Sequence, residues 1–363
     1  MSGRLDAHAA ASEFEFHGGV LGLTPHGGGH INDTYLVTCE AQGAPVRYIL
    51  QHINRRVFRD PVAVMQNVKR VTAHLAAQAA GQPDSARRAL QLVSTRDGRK
   101  WHVDAQGETW RAYCFIENAR TYETATSSDQ AFQAARAFGS FQQHLASLPP
   151  PRLHETIPDF HNTPERFAAL EQAIAADAAG RAALAKPEIE FARSRQSITG
   201  ILLDADLPER ITHNDTKFNN VLLDDKTGEA VCVIDLDTVM PGLALYDFGD
   251  MVRTTTSPAK EDEQDLSQVT MQFPMFEALV RGYLESAGAF LTAAERKHLA
   301  FSGKLITFEI GIRFLADFLA GDTYFKVHRE GHNLDRCRTQ FKLVESIERQ
   351  EEEMNRLVES IAG

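Results

Sequence analysis

Hydrophobic and polar positions change rhythm once along the chain. Up to about residue 118 the apolar residues fall in short alternating or continuous runs separated by turn residues. The stretch "PHGGGHINDTYLVTC" is a glycine-rich turn that passes into a strand. "VRYILQHI" (Val46 to Ile53), "ALQLVST", "KWHVD" and "TWRAYCFIE" have the length and β-rich composition of further strands, with Asp97-Gly98 as a turn signal. Between them "PVAVMQNVKRVTAHLAAQ" (Pro61 to Gln78) opens on proline and repeats apolar residues at helical spacing, which predicts one inserted helix. From about Ser127 the period is helical. Phe132, Ala135, Phe138, Phe141, Leu145 and Leu148 lie along one stripe that Pro149-Pro150-Pro151 ends. Thr163-Pro164-Glu165 reads as a cap followed by proline at the first helical position. Helical patterns return over about 263–287, 292–320 and 335–360.

These elements predict an α+β, bilobal architecture. A small β-rich N-terminal lobe spans 1–118, a connection lies near 114–120, and a larger helical lobe covers 119–363. With 363 residues, 43% of them apolar, the chain suits two lobes with ample core. The formal charge of −11 argues against a nucleic-acid partner, since neutralising phosphates along a strand needs a basic face. It does not exclude a nucleotide bound through Mg²⁺ and a few local cations. Cys39, Cys114, Cys232 and Cys337 are far apart, so neither a disulfide framework nor a zinc site is expected. The first residues, "MSGRLDAHAAASEFEF", lack the apolar stretch of a signal peptide, and no run approaches transmembrane length. The expectation is a soluble, cytoplasmic, monomeric protein with no membrane partner.

One non-helical island interrupts the helical half. "ITHNDTKFNNVLLDDKTGEAVCVIDLD" (Ile211 to Asp237) places two apolar runs around Lys226-Thr227-Gly228-Glu229, which predicts a hairpin. A turn centred on Thr227-Gly228 sets Asn220 opposite Asp235 at the open end. Asp215 stands five residues before Asn220 and is preceded by His213. A carboxylate, an amide oxygen and a second carboxylate on one rigid frame suit phosphoryl transfer: a base for the attacking hydroxyl and hard oxygen ligands for Mg²⁺. Downstream, "ALYDFGD" (Ala244 to Asp250) spells the metal-binding tripeptide of protein kinases at Asp247-Phe248-Gly249. Asp247 follows Pro241-Gly242 and lies outside the hairpin, so Asp235 is the better metal candidate.

The island resembles the catalytic loop and metal segment of the protein-kinase-like small-molecule kinases, the aminoglycoside phosphotransferase and choline kinase group. "THNDTKFNNVLLD" with "VIDLDTVMPGLALYDFGD" is closer still to bacterial N-acetylhexosamine 1-kinases. The likeness continues through "GGGHINDTY", "YILQHIN", "WRAYCFIENARTYE", "GIRFLADFLAGDTYF" and "HNLDRCRTQ". It implies a protein-kinase-like fold, ATP and Mg²⁺ as cofactors, and transfer to the anomeric hydroxyl of an N-acetylhexosamine. Other acceptors within the superfamily, an aminoglycoside, an amino alcohol or another sugar, remain open, as does a nucleotide-binding protein without catalysis.

On that resemblance Asp215 is the catalytic base, and Lys217 a cation near the γ-phosphate. Asn220 and Asp235 are metal ligands, with Asp237 as a second carboxylate on the same side. His213 and Asp247 brace the loop. Gly27, Gly28 and Gly29 cover the ATP phosphates. The following segment, His30, Asn32, Asp33 and Thr34, faces phosphates and sugar. Phe115 and Glu117, within "CFIEN", sit at the adenine connection. Arg313 and Tyr324 contact the sugar, although Arg313 and Asp317 have the spacing of an ordinary helical ion pair. One departure stands out. Where a protein kinase carries its N-lobe lysine, this chain has Gln51 followed by His52, and the helix after Pro61 offers Gln66 and Asn67 in place of a glutamate. The phosphates must then be steadied by metal or by another cation, Lys217, His52 or an arginine.

Overall fold

The computed structural model describes residues 6–27 and 31–362. A short helix α1 (Ala7–Ser12) precedes strands β1 (Gly19–Pro25), β2 (Asp33–Ala41) and β3 (Ala44–His52). Helix α2 (Pro61–Ala79) follows, then β4 (His102–Val103) and β5 (Thr109–Cys114). The strands form one antiparallel sheet in the order β1-β2-β3-β5-β4. Alternation divides its side chains. Tyr48, Leu50, Trp110 and Ala112 meet α1 and Phe14 in an outer core, while Ile53, Tyr113 and the apolar stripe of α2 join the main core. Arg111 and Gln51 are direct neighbours in the β3–β5 register, so they share one side of the sheet.

A two-residue strand β6 (Ala119–Arg120) follows the connection and pairs with the hairpin of the second lobe. That lobe runs through α3 (Ser128–Leu145), α4 (Thr163–Ala176), α5 (Lys186–Arg193) and α6 (Ile201–Asp204). The island supplies β7 (Arg210–Thr212), β8 (Val221–Asp224), β9 (Ala230–Val233) and β10 (Met240–Gly242). Helices α7 (Ala244–Thr255), α8 (Phe273–Ala287), α9 (Ala293–Lys297), α10 (Leu299–Ala320) and α11 (His332–Ala362) complete it. Among the described residues no helix is long and apolar enough to cross a membrane.

Several boundaries move from their expected places. "ALQLVST" makes only isolated bridges, Leu92 to Tyr113 and Thr95 to Phe14, at the margin of the sheet. The helix expected from 263 starts at Phe273, where Pro274 fits the first turn, and a single 3₁₀ turn over Leu266–Gln268 precedes it. The 292–320 helix breaks at His298: Thr292 and Glu295 form a capping box for α9 before α10 begins. Asn162, one residue before the expected cap, accepts from the Glu165 N–H, and Thr163 Oγ1 instead donates to Glu309 at 2.6 Å.

The glycine of the Asp-Phe-Gly tripeptide serves this packing. Gly249 lies on α7 against α10, where a Cβ would stand 2.5 Å from the Ser302 carbonyl oxygen. Phe248 is fully buried against Tyr283 and Phe276. Gly249→Ala should therefore force the helices apart and destabilise the protein by about 1–3 kcal/mol, read as a lower thermal midpoint.

Candidate active site

The hairpin of β8 and β9 sets the frame, one residue away from the expected register. Val221 pairs with Val233 and Leu222 with Cys232, with a bulge before Leu223. Asn220 thus opposes Ile234, whose N–H donates to the Asn220 carbonyl at 2.9 Å, and not Asp235. The turn explains the shift. Asp224 Oδ1 accepts from the N–H groups of Lys226 and Thr227, both at 2.9 Å, which tightens the loop one residue earlier. Asp235 then leaves β9 in a left-handed conformation, φ 60°, ψ 63°, which costs a non-glycine residue about 1–2 kcal/mol.

Asp247, in the first turn of α7, is fully buried and holds the catalytic loop from beneath. Its carboxylate accepts from the backbone N–H groups of His213 (2.9 Å) and Asn214 (2.7 Å) and from Gln142 Nε2 (2.6 Å). Its carbonyl accepts from Thr216 Oγ1 at 2.6 Å. Burial pushes the Asp247 carboxyl above its usual range. His213 Nε2 lies 2.9 Å from the Ile234 carbonyl, and Nδ1 receives the Asp215 N–H at 3.3 Å, so the imidazole donates from Nε2 and ties loop to hairpin.

Asp215 projects from this braced loop. Lys217 Nζ is 2.8 Å from Asp215 Oδ1. Burial alone would raise the Asp215 carboxyl, but the Lys217 ammonium outweighs it and holds the group below its ordinary value. Asp215 in turn raises Lys217, which stays charged. Asn220 Nδ2 donates to the Asp215 carbonyl (2.8 Å) and reaches Oδ2 at 3.3 Å. With the amine so directed, the amide oxygen is left without a donor.

Asp235 has no hydrogen-bond or ion-pair partner among the described residues. Its carboxyl is open to solvent yet ringed by protein on the other sides, and it is pushed up to about 6 by that burial, then by Asp237 and Asp215. A free amide oxygen beside a carboxylate crowded by like charge is a donor set that suits Mg²⁺: hard, oxygen-only and short of positive charge. No three His, Cys, Asp or Glu side chains converge as a cage among the described residues. Asn220 and Asp235 would hold a metal that brings water and phosphate as its other ligands.

Asp237 is occupied differently. It is buried, forms an ion pair with Arg111 Nη1, and accepts from Asn32 Nδ2 at 2.6 Å. The structure gives this carboxylate, expected on the metal side, the role of counterion to a buried arginine. Asn32 faces Asp237, and its Oδ1 accepts the Asn54 N–H at 3.0 Å. Gln51 holds the same arginine: Arg111 Nε donates to Gln51 Oε1 at 2.9 Å while Gln51 Nε2 donates to Thr34 Oγ1 at 3.1 Å. Arg111 is the residue the sequence reading did not find. The signal was a lone cation inside the apolar strand "TWRAYC", on the neighbour of the strand where a cation was missing.

Other expected nucleotide residues scatter. Gly27 takes a positive φ of 74°, and Gly28, Gly29 and His30 lie outside the described residues. The Phe115 ring lies under the Arg47 guanidinium at 4.1 Å, and its N–H is already given to the Arg47 carbonyl at 3.1 Å. Glu117 is ion-paired to Arg47. Asp33 sits beside His52 at 3.3 Å.

On the acceptor side, Arg313 and Asp317 do not pair. Asp317 accepts from the N–H groups of Thr323, Tyr324 (both 2.8 Å) and Phe325 (2.9 Å) and from Asn333 Nδ2 (2.8 Å), fixing the loop that carries Tyr324. Among the described residues Arg313 makes no hydrogen bond; it lies over the rings of Phe160 (5.1 Å) and Phe325 (5.8 Å) and its charge helps keep buried Glu309 ionised. Phe160 packs on His161, which reaches the Asn214 carbonyl at 3.3 Å, one residue from Asp215. Tyr324 is 59% exposed against Phe325.

The model of the phosphotransferase enzyme family matches residues 22–291, which include most of the sheet, the connection and the loop and hairpin that carry Asp215, Asn220, Asp235 and Asp247, while Arg313 and Tyr324 lie beyond it. The chain belongs to this family. Solved structures share its fold across nearly the whole chain. An aminoglycoside phosphotransferase from Alicyclobacillus acidocaldarius is 13% identical with a TM-score of 0.60, covering 99% of this chain and 98% of its own. A microcompartment-associated aminopropanol kinase is 18% identical with a TM-score of 0.59, covering 96% and 98%. An ethanolamine kinase from Plasmodium vivax is 14% identical with a TM-score of 0.53, covering 93% and 84%.

For this phosphotransferase the two aspartates of "VIDLD" and "YDFGD" should separate cleanly. Asp235→Ala should abolish metal-dependent turnover with little change in thermal midpoint. Asp247→Ala strands two buried backbone N–H groups and should cost about 2–4 kcal/mol of stability. Protons and Mg²⁺ compete for Asp235: below about pH 6 the free carboxyl protonates, so the Mg²⁺ concentration for half-maximal turnover should rise by up to about tenfold per pH unit. Above that pH it should level off. A Mg²⁺ requirement flat from pH 5 to 7 would remove Asp235 from the metal.

Proposed function

We propose that this phosphotransferase is an ATP- and Mg²⁺-dependent small-molecule kinase whose acceptor is a neutral sugar, an N-acetylhexosamine phosphorylated on its anomeric hydroxyl. The observation that carries the choice of acceptor is the guanidinium of Arg313, whose N–H groups make no hydrogen bond or close ion pair with any described residue. Burial and the charge of Arg313 both lower the affinity of neighbouring Arg166 for its proton, so two cations share this corner. The buried carboxylate there, Glu309, accepts from His161 Nδ1 (2.8 Å) and Thr163 Oγ1 (2.6 Å) and is also held ionised by the charge of Arg313, and Asp159 is exposed. An ammonium group about 7 Å from one guanidinium, at an effective dielectric of about 20, is repelled by about 2 kcal/mol. The acceptors named for the structural neighbours above are amines, and Arg313 opposes their approach. Sugar hydroxyls and an acetamide oxygen accept from guanidinium without that penalty, and the aromatic faces of Phe160 and Tyr324 suit the apolar side of a pyranose.

Asp215 supplies the base. Ionised at neutral pH because of Lys217, it takes the proton of the acceptor hydroxyl as that oxygen bonds the γ-phosphorus. The bond to the bridging oxygen breaks and ADP leaves. The anomeric hydroxyl is more acidic than an ordinary alcohol, so a carboxylate suffices. The metal, when bound by Asn220 and Asp235, neutralises charge on the triphosphate.

ADP release measured with N-acetylglucosamine, N-acetylgalactosamine, plain hexoses, ethanolamine and an aminoglycoside should show turnover on the neutral N-acetylated sugars. Turnover on the amines alone would sink the proposal. Asp215→Asn should lower kcat by about 10²–10⁴-fold with ATP binding kept. Arg313→Ala should act mainly on the sugar KM, raising it by about tenfold or more.

A further inference from the structure

We infer that Arg111 is the cation of the N-terminal lobe that binds the nucleotide phosphates, and that Asp237 is its counterion in the opposite lobe. The inference rests on the nucleotide reading above. Strand β3 carries Gln51 where a phosphate-binding lysine is missing, and the register sets Arg111 of β5 directly beside it on the same side of the sheet. Arg111 is 1% exposed and ends at Asp237, two residues from Asp235, whose charge it also feels.

The guanidinium is only partly used. Nε is fixed by Gln51 and Nη1 by Asp237, with Met65 Sδ at 3.9 Å, while Nη2 makes no hydrogen bond to any described residue. A lysine in this setting would be consumed as a point charge by Asp237. A planar fork with five donors can keep its carboxylate and still offer an edge to a phosphate oxygen. The buried charge pair also explains why α2 needs no acid. Its Asn67 instead donates to the carbonyls of His154 (2.8 Å) and Val239 (3.1 Å), docking the helix on the other lobe. His52, the other nearby candidate, is spoken for by Glu108 at 2.9 Å and Asp33 at 3.3 Å. Lys217 serves Asp215. Arg111 is the candidate whose donors are not exhausted.

The test compares ADP with adenosine, which differ only in the phosphates, by calorimetric titration of the full chain in EDTA so that no metal ligand contributes. Arg111→Met is combined with Asp237→Asn, which leaves no buried carboxylate unpaired. This double variant should lose about 10- to 100-fold in ADP affinity and keep adenosine affinity within about twofold. An equal loss for both ligands would mean a merely structural arginine, and an unchanged ADP affinity would mean no phosphate contact; either overturns the inference. If the double variant does not fold, Arg111→Lys decides. Its ammonium still pairs with Asp237 but lacks the second edge, so the ratio of ADP to adenosine affinity should fall by about 3- to 10-fold, and an unchanged ratio overturns the inference. Wild-type protein that binds neither ligand even with Mg²⁺ would instead bring down the nucleotide reading itself.

Discussion

Three carboxylates share one cleft, and the balance of their charge governs the rest of the site. Asp215, Asp235 and Asp237 come from a single stretch of 23 residues, and each lies in the field of at least one other. Like charges so placed in partly desolvated surroundings are tolerated only if cations are built in among them. Two are. Lys217 neutralises Asp215 within the loop, and Arg111 neutralises Asp237 from the other lobe. The third carboxylate, Asp235, has no partner among the described residues, and neither has the amide oxygen of Asn220, whose backbone pairs with Ile234, the residue before Asp235.

The parts of this arrangement that follow local rules were legible in the sequence. The long stripes of α2 and α3 fixed which face each helix buries, and the island declared itself because periodicity stopped there. The pairing of Asn220 with Asp235 was missed by one residue because a side chain, Asp224, reorganises the turn, and hairpin register depends on turn type. Arg111 could not be assigned from its own strand. Its meaning lies in Asp237, 126 residues away, and in Gln51 across the sheet, and neither relation has a local period. The Arg313–Asp317 pair that the spacing allowed is absent for a similar reason. Helical spacing allows the contact, but three backbone N–H groups and an asparagine of the following loop compete for Asp317 and win.

The literal Asp-Phe-Gly shows how a motif and a function can part. All three residues are buried, and each has a structural use here: Asp247 as acceptor for the loop's N–H groups, Phe248 as a ring in the α8 contact, Gly249 as the close approach to α10. A carboxylate with both oxygens filled by buried donors cannot also face a solvent-borne metal. Accessibility separates the two aspartates where the letters do not: Asp247 is fully buried and Asp235 is exposed.

The crossing of the lobes by Arg111 has a mechanical consequence. When a buried ion pair lies within one lobe, the other lobe can swing without disturbing it. Here the arginine belongs to the sheet and its aspartate to the segment that follows Asp235, and Asn32 adds a second tie from the β1–β2 turn to the same carboxylate. Separating the lobes would strip Asp237 of both partners, and breaking a buried pair is worth several kcal/mol until water replaces the lost contacts. Asp235 is joined through Leu236 alone to the carboxylate that bridges the lobes. A phosphate that engaged Nη2 of Arg111 and a metal that engaged Asp235 would act on the same short span of chain from its two ends.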